Sequence, residues 1–365
     1  MHRRPLRYRT SIASFDSQVQ MAGENRWIVR QILQYGQRLV GFLQLTPEAV
    51  SFFSEILPRK ERWALAEKLN IGMQGRMAQT DSSNSVDIAE VVTNWLNSKE
   101  SAASVNDLRN VLSDAISSQL ATLDNTQNEI ETLGSSRLYE EMDELVSLFH
   151  LSCDELSILA FCYCYTVCPY LENLCDSLAR RNQIQILSAC VQVPQHQVSK
   201  ILKKYEKLTR QGIIVKHNGT TIWAYHLSDH VEEYLSGATG GKFAELYCER
   251  FDRECFDLNT FDLPANYKDI LSSLVENPKP YQILLYGEPG TGKTEYAKSL
   301  IRASGKEIWL FHQNEEEDSD SILTSLSAAS QAISTGNGVL IVDEADWILN
   351  SGYSFVSKRT SPEKG

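Results

Sequence analysis

The sequence predicts a multidomain protein in three parts: a mostly α N-terminal region, a middle α+β segment, and an α/β domain at the C-terminal end. Three observations carry this. Apolar residues recur at helical spacing through most of the first 210 residues. A strand–turn–strand pattern follows at 213–227. Apolar, strand-prone runs then alternate with helical stretches from about 282 to 349, the order of a doubly wound α/β fold. At 365 residues, with 42% apolar and 22% charged residues, the chain is long enough for two or three ordinary soluble domains.

Residues 1–150 form the helical N-terminal region. The start, "MHRRPLRYRT", reads as a basic tail rather than a transit peptide, and it lacks the apolar core of a secretory signal. Pro47 and Pro58 suit the first turns of helices, where the missing N–H is tolerated. "MAQTDSSNSVD" is a polar loop. Leu108, Val111, Leu112, Ala115 and Ile116 make one helical stripe, "LGSSR" interrupts it, and "LYEEMDELVSLFH" begins another helix. This region reads as an interaction or spacer bundle.

Residues 151–236 form the middle segment. Ser152 and Glu155 carry a capping-box spacing, so a helix starts there. That helix is apolar on nearly every side and is expected to be buried. Its cysteines Cys162, Cys164 and Cys168, with Cys175 just beyond, lack the CxxC pairing of a zinc site; they read as buried reduced thiols. Helices near "YLENLCDSLA" and "NQIQILSACVQV" follow. A further helix places Val198, Ile201, Leu202, Tyr205 and Leu208 on one face and Gln197, Lys200, Lys203, Lys204 and Lys207 on another, and Gly212 ends it. "IIVKH", "NG" and "TTIWAYHL" then read as a hairpin. His226 and His230 are expected to run from strand into helix rather than to bind a metal. Helices followed by a hairpin, the last helix basic, resemble a winged helix. Its basic face suits either the phosphates of duplex DNA, with Gln197 or His196 near base edges, or a protein partner.

Residues 237–264, which take in most of the glycine-rich "LSGATGGKF" at 235–243, are expected to be a linker. Residues 265–365 make the α/β domain. Gly287, Glu288, Pro289, Gly290, Thr291, Gly292, Lys293 and Thr294 lie between the strand-prone "QILLYG" and the helical "KTEYAKSLI", the context of a Walker A phosphate loop. Glycines let backbone N–H groups approach phosphate oxygens, and a helix N-terminus favours negative charge. Lys293 can reach the β- and γ-phosphates, and the Thr294 hydroxyl can ligate Mg²⁺. "GVLIVDEADWIL" is an apolar strand ending in Asp343 and Glu344. There Asp343 can hold the Mg²⁺ and Glu344 can activate the attacking water. "EIWLF" is a second core strand, "NEEEDSDS" a solvated acidic loop, and "ILTSLSAASQAI" a helix.

The loop, with "GTGKT" after a proline, and the carboxylate pair 50 residues after Lys293 together resemble the AAA+ ATPases. DEAD-box helicases have a different glycine pattern and wider motif spacing. The chain is similar to a bacterial AAA+ subgroup that joins such a module to an N-terminal helical and winged-helix region. The resemblance implies ATP and Mg²⁺ as ligands, ATP hydrolysis coupled to remodelling of a protein or nucleic-acid complex, and a homo-oligomeric ring with ATP between neighbours. It also calls for a sensor strand, an arginine finger, a fifth strand and a helical lid after Glu344. Only "NSGYSFVSKRTSPEKG" follows the start of the next helix, and Arg359 is its sole arginine, so the chain reads as a truncated module with weak turnover. A winged-helix regulator with a nucleotide switch is the alternative. The net charge of −12 argues against a whole surface that coats nucleic acid. With no apolar run of about 18 residues, no membrane contact and a cytoplasmic location are expected.

Overall fold

The computed structural model describes residues 23–41, 52, 56–57, 101–127, 137–204, 206–216, 223–238, 241–277, 281–312, 319–334 and 336–345. The expectations for the basic tail, Pro47, Pro58, the "MAQTDSSNSVD" loop, Tyr205, the "NG" turn and Arg359 lie outside these residues. The chain divides into two compact units: one of 1–146, 151–209 and 213–237, the other of 147–150, 210–212 and 238–365.

In the first unit the described helices are α1 (Gly23–Val40), α2 (Ser101–Gln127), α3 (Arg137–Phe149, its last three residues in the second unit), α4 (Cys153–Val167), α5 (Pro169–Val191), α6 (Gln195–Ile201), the single turn α7 (Lys207–Arg210, its last residue in the second unit) and α8 (Asp229–Ser236). Leu112, Ala115 and Ile116 of the α2 stripe are buried. Helix α4 opens with the reciprocal cap expected of Ser152 and Glu155: the Glu155 N–H donates to Ser152 Oγ at 3.3 Å, and the Ser152 N–H donates to Glu155 Oε2 at 2.7 Å. Helix α4 is buried along most of its length, and its apolar faces build the core. Phe161 meets Tyr35 of α1 edge-on at 5.2 Å, and Tyr165 stacks on Trp223 at 5.6 Å. Cys162, Cys164, Cys168, Cys175 and Cys190 are all buried free thiols in this unit.

Helix α5 contains both helices expected at 169–191. Extended backbone at Asn182 separates its halves, and Asn182 Oδ1 accepts the Gln185 N–H at 3.1 Å, capping the second half. Strands β1 (Ile214–Lys216) and β2 (Tyr225–Leu227) pair antiparallel, with Ile214 opposite Leu227. His226 lies on β2 and His230 on α8, as the strand-to-helix reading placed them.

Two expectations for the basic helix change. Its helix stops at Ile201, with the Leu202 N–H turned back to the Val198 and Lys200 carbonyls, and resumes only for the turn of α7. Val198, Leu202 and Leu208 are buried, while Ile201 is only half-buried. Gln197 and Lys207 are drawn into their own domain: Gln197 donates to Asp154, and Lys207 forms an ion pair with Glu155 at 3.2 Å. His196, Lys200, Lys203 and Lys204 remain exposed.

The second unit holds a three-stranded sheet in the order β3 (Cys248–Arg250), β4 (Glu307–Phe311), β5 (Gly338–Ile341). Strand β4 pairs antiparallel with β3 and parallel with β5. Helices α9 (Ala265–Glu276), α10 (Lys293–Ala303) and α11 (Ser319–Ser334) belong to the same unit; α11 takes in Ser319–Ser321 of the expected acidic loop. The turn into β5 needs a glycine, because a Cβ on Gly338 would stand 2.7 Å from Ile333 Cγ2 and 2.9 Å from Trp309 Cδ1. The segment expected as a linker contributes β3 to this sheet. Arg302 Nη2 of α10 donates to the Phe251 carbonyl at 2.8 Å, fastening the end of that strand.

The strand expected at 282–286 does not form. Among the described residues this stretch has no ladder partner, and a strand exists only where its N–H and C=O groups find one. Leu285 turns in against Val275, Tyr296 and Leu300. Leu284 stays 60% and Tyr286 89% exposed, so the apolar run that reads as a core strand is largely a surface segment here.

Candidate functional site

The loop Gly287–Thr294 leads into α10, whose N-cap is Gly292. Gly290 and Gly292 have φ values of 78° and 81°, a left-handed backbone that residues with a Cβ adopt only at a cost. The Tyr296 N–H donates to the Gly292 carbonyl at 2.9 Å and starts the helix. The N–H groups of its first turn therefore have no carbonyl partner within the helix, the feature that suits an anion.

Within the loop, Thr291 Oγ1 donates to the Glu288 carbonyl at 2.9 Å and holds the turn over Pro289. Lys293 Nζ donates to the Gly287 carbonyl at 3.1 Å and to the Glu288 carbonyl at 2.8 Å. The ammonium thus lies across the loop itself. Both bonds are solvent-exposed, so the side chain surrenders little when it turns toward a stronger acceptor.

Strand β5 delivers the acidic pair. Past Ile341 the chain turns at Asp343–Ala345, leaving Asp343 and Glu344 exposed. Thr294 Oγ1 donates to the Asp343 carboxylate, 3.0 Å from Oδ1 and 3.1 Å from Oδ2. Asp343 Oδ1 also accepts the Glu344 N–H at 3.0 Å. Glu344 itself has φ 48°, uncommon for a residue with a side chain and a mark of a tightly held turn. Residues 49 apart in sequence therefore meet, hydroxyl against carboxylate, at the start of α10.

One group of residues beside this loop escaped the sequence reading. Phe261 Cε1 lies 3.8 Å from where a Cβ on Gly292 would stand. Its ring meets Tyr296 of α10 edge-on at 5.2 Å and Phe256 edge-on at 6.4 Å. Tyr296 is 4% exposed, its hydroxyl has no hydrogen-bond partner among the described residues, and burial raises its pKa. The two phenylalanines in "CFDLNTFDLP" were the available signal, but they fell inside the expected linker.

Residues 283–363 match the family model described as ATPase family associated with various cellular activities (AAA). The matched stretch contains the loop, α10, β4, α11, β5 and the Asp343–Glu344 turn, and the match supports an AAA-family ATPase in this part of the chain. Comparison with curated proteins and with solved structures gave no match. No described helix is long and apolar enough to cross a membrane.

Proposed function

We propose that the second unit binds Mg·ATP and hydrolyses it, and that the chain uses this turnover to remodel a protein or nucleic-acid complex as a subunit of a homo-oligomeric ring. The observation that carries the nucleotide reading is the meeting of Thr294 and Asp343 at the N-terminus of α10, beside Lys293. A hydroxyl and a carboxylate converging on one point are hard oxygen donors of the kind Mg²⁺ takes, so these residues fit the ion. When bound, the ion neutralises charge on the β- and γ-phosphate oxygens. Thr294 and Asp343 would hold it. Gly287, Glu288, Pro289, Gly290, Thr291 and Gly292 supply the backbone of the cradle. Lys293 leaves the Gly287 and Glu288 carbonyls for the phosphates and stabilises the charge that builds there. Glu344 orients the attacking water and takes its proton. Calorimetric titration with Mg·ATP tests the reading: Lys293→Ala is expected to abolish ATP binding, and equal affinity in that variant would remove the site assignment.

The helical unit is read as the part that meets the partner. The order of α4, α5, α6 and the β1–β2 hairpin supports a winged helix. With Gln197 and Lys207 committed to Asp154 and Glu155, its basic face is narrower than the sequence suggests. That favours a protein surface over duplex DNA as its contact, since DNA affinity rises with each neutralised phosphate.

A further inference from the structure

We propose that one face of α11 is a regulatory seat: through it, nucleotide in the phosphate site tightens the chain corners at 147–150 and 210–212, and those corners in turn set the affinity for nucleotide. The proposal rests on the phosphate-loop reading above and adds the regulation of that site.

Three observations support it. First, the second unit takes in two short corners of chain, 147–150 where α3 ends and 210–212 where α7 ends, and both are fastened to α11. Gln331 Nε2 donates to the Leu148 carbonyl at 2.9 Å, and Ser327 Oγ donates to Gln211 Oε1 at 2.8 Å. Gly212 has φ 63° and lies so close to Thr324 that a Cβ would run into its Cγ2 methyl. Thr324, Ser327 and Gln331 are spaced by three and four, so they form one stripe of the helix. Gln211 is 8% exposed, so breaking its bond leaves a largely buried acceptor unpaired. Second, the opposite side of α11 carries Ala329 and Ile333, both buried. Ile333 stands against Gly338, the first residue of β5, and α11 packs on that strand. Third, β5 is short. Gly338 and Asp343 are five positions apart, and Asp343 accepts the Thr294 hydroxyl at the start of α10. The phosphate site, β5, α11 and the two corners thus form an unbroken series of contacts, and close packing of this kind transmits strain. A ligand that holds Thr294 and Asp343 holds the end of β5, and through Ile333 and the polar stripe it holds the corners. Such coupling is reciprocal for binding affinities. The 210–212 corner runs into the β1–β2 hairpin, so whatever grips that hairpin changes nucleotide affinity by the same route.

The test is amide hydrogen exchange of the full chain, read by mass on peptides covering 145–151, 156–167, 208–214, 285–296 and 336–343, with and without saturating Mg·ATP. It compares wild type, the double variant Ser327→Ala with Gln331→Ala, and Lys293→Ala. In wild type, Mg·ATP is expected to slow exchange at 285–296, at 336–343 and at both corners by at least about fivefold, the lower end of couplings between sites, and to leave 156–167 of α4 unchanged. In the double variant the slowing at the corners should disappear while that at 285–296 persists. Its affinity for Mg·ATP, measured by calorimetry, should weaken by the factor that the corners lose. A stripe with only a structural role would lower the melting temperature of the double variant and leave the effect of nucleotide on the corners intact, which overturns the proposal. Slowing at 285–296 without slowing at the corners in wild type overturns it too, whatever the stability of the double variant, and keeps the phosphate reading. Equal slowing in every peptide, α4 included, is general stabilisation and also overturns it. Exchange at 285–296 that ignores Mg·ATP, or an effect that Lys293→Ala retains, overturns the phosphate reading and the regulatory seat with it.

Discussion

Replacing Glu155 with alanine removes one carboxylate on which three groups converge. Its Oε2 accepts the Ser152 N–H at 2.7 Å and the Ser152 hydroxyl at 2.9 Å, and it lies 3.2 Å from Lys207 Nζ. Loss of a helix cap costs about 1 kcal/mol. The ion pair is partly screened, with side chains 12% and 32% exposed, and adds roughly 1 kcal/mol. A loss of about 2 kcal/mol in a unit of this size lowers the melting temperature by about 4–8 °C. Burial pushes the Glu155 carboxyl up, but the Ser152 hydrogen bonds and the Lys207 ammonium outweigh it and hold its pKa below the ordinary value. With the folded pKa below the unfolded one, the stabilisation is complete above the unfolded value of about 4.3 and is lost as pH falls through the folded value. The gap between wild type and Glu155→Ala, followed by circular dichroism during heating, is therefore expected to be full at neutral pH and to close below about pH 4. Lys207→Met should reproduce about half of it. A gap under about 1 °C at neutral pH, or one that persists undiminished in acid, would refute the reasoning.

Further outcomes follow from the site. Glu344→Gln is expected to bind Mg·ATP with wild-type affinity while phosphate release falls by at least about 100-fold, the lower range for a general base, as read in a single-turnover assay. Thr294→Ala should weaken the Mg²⁺-dependent part of ATP affinity and leave the metal-free part in place, measured by titration with and without EDTA. Exchanging Lys200, Lys203 and Lys204 for glutamate should leave the ATPase rate untouched. If duplex DNA binds the chain, that exchange should flatten the slope of log affinity against log salt by up to about 0.9 for each phosphate no longer neutralised. A slope unchanged by the exchange points to protein docking.

Much of the helical unit was legible because its signals are local. The Ser152–Glu155 cap spans three residues, and the β1–β2 hairpin is announced by β-branched residues on both sides of an "NG" pair. Between the loop and the acidic pair, α10, β4, α11 and β5 fall in the order read from periodicity. What escaped depends on partners distant in the chain. Cys248–Arg250 is three residues long with two charges among them, and only its ladder with Trp309–Phe311 makes it a strand. The "QILLYG" run has every intrinsic mark of a strand, yet without a ladder partner among the described residues it lies largely at the surface. Lys207 read as part of an open basic face because the carboxylate that claims it sits 52 residues earlier. In the site, spacing and order selected Lys293, Thr294, Asp343 and Glu344. The hydroxyl–carboxylate contact and the aromatic row beside Gly292 became visible only in three dimensions.

The eight cysteines give the molecule an internal clock. Cys153 is exposed and Cys255 half-exposed, whereas the other six are buried. Burial raises their pKa values, to about 11 for Cys168 and about 12 for Cys162 and Cys248, and further still for Cys190. A thiol reagent added to the native protein near pH 8 therefore meets two reactive groups at once, and six only as fast as the structure opens, since only the thiolate reacts. Five of those six report on the helical unit, and Cys248 alone reports on the sheet of the second unit. Mass-resolved labelling thus times the opening of each unit separately, without an added probe. Slowing at Cys248 alone, when Mg·ATP is present, would show which part of the chain the nucleotide tightens.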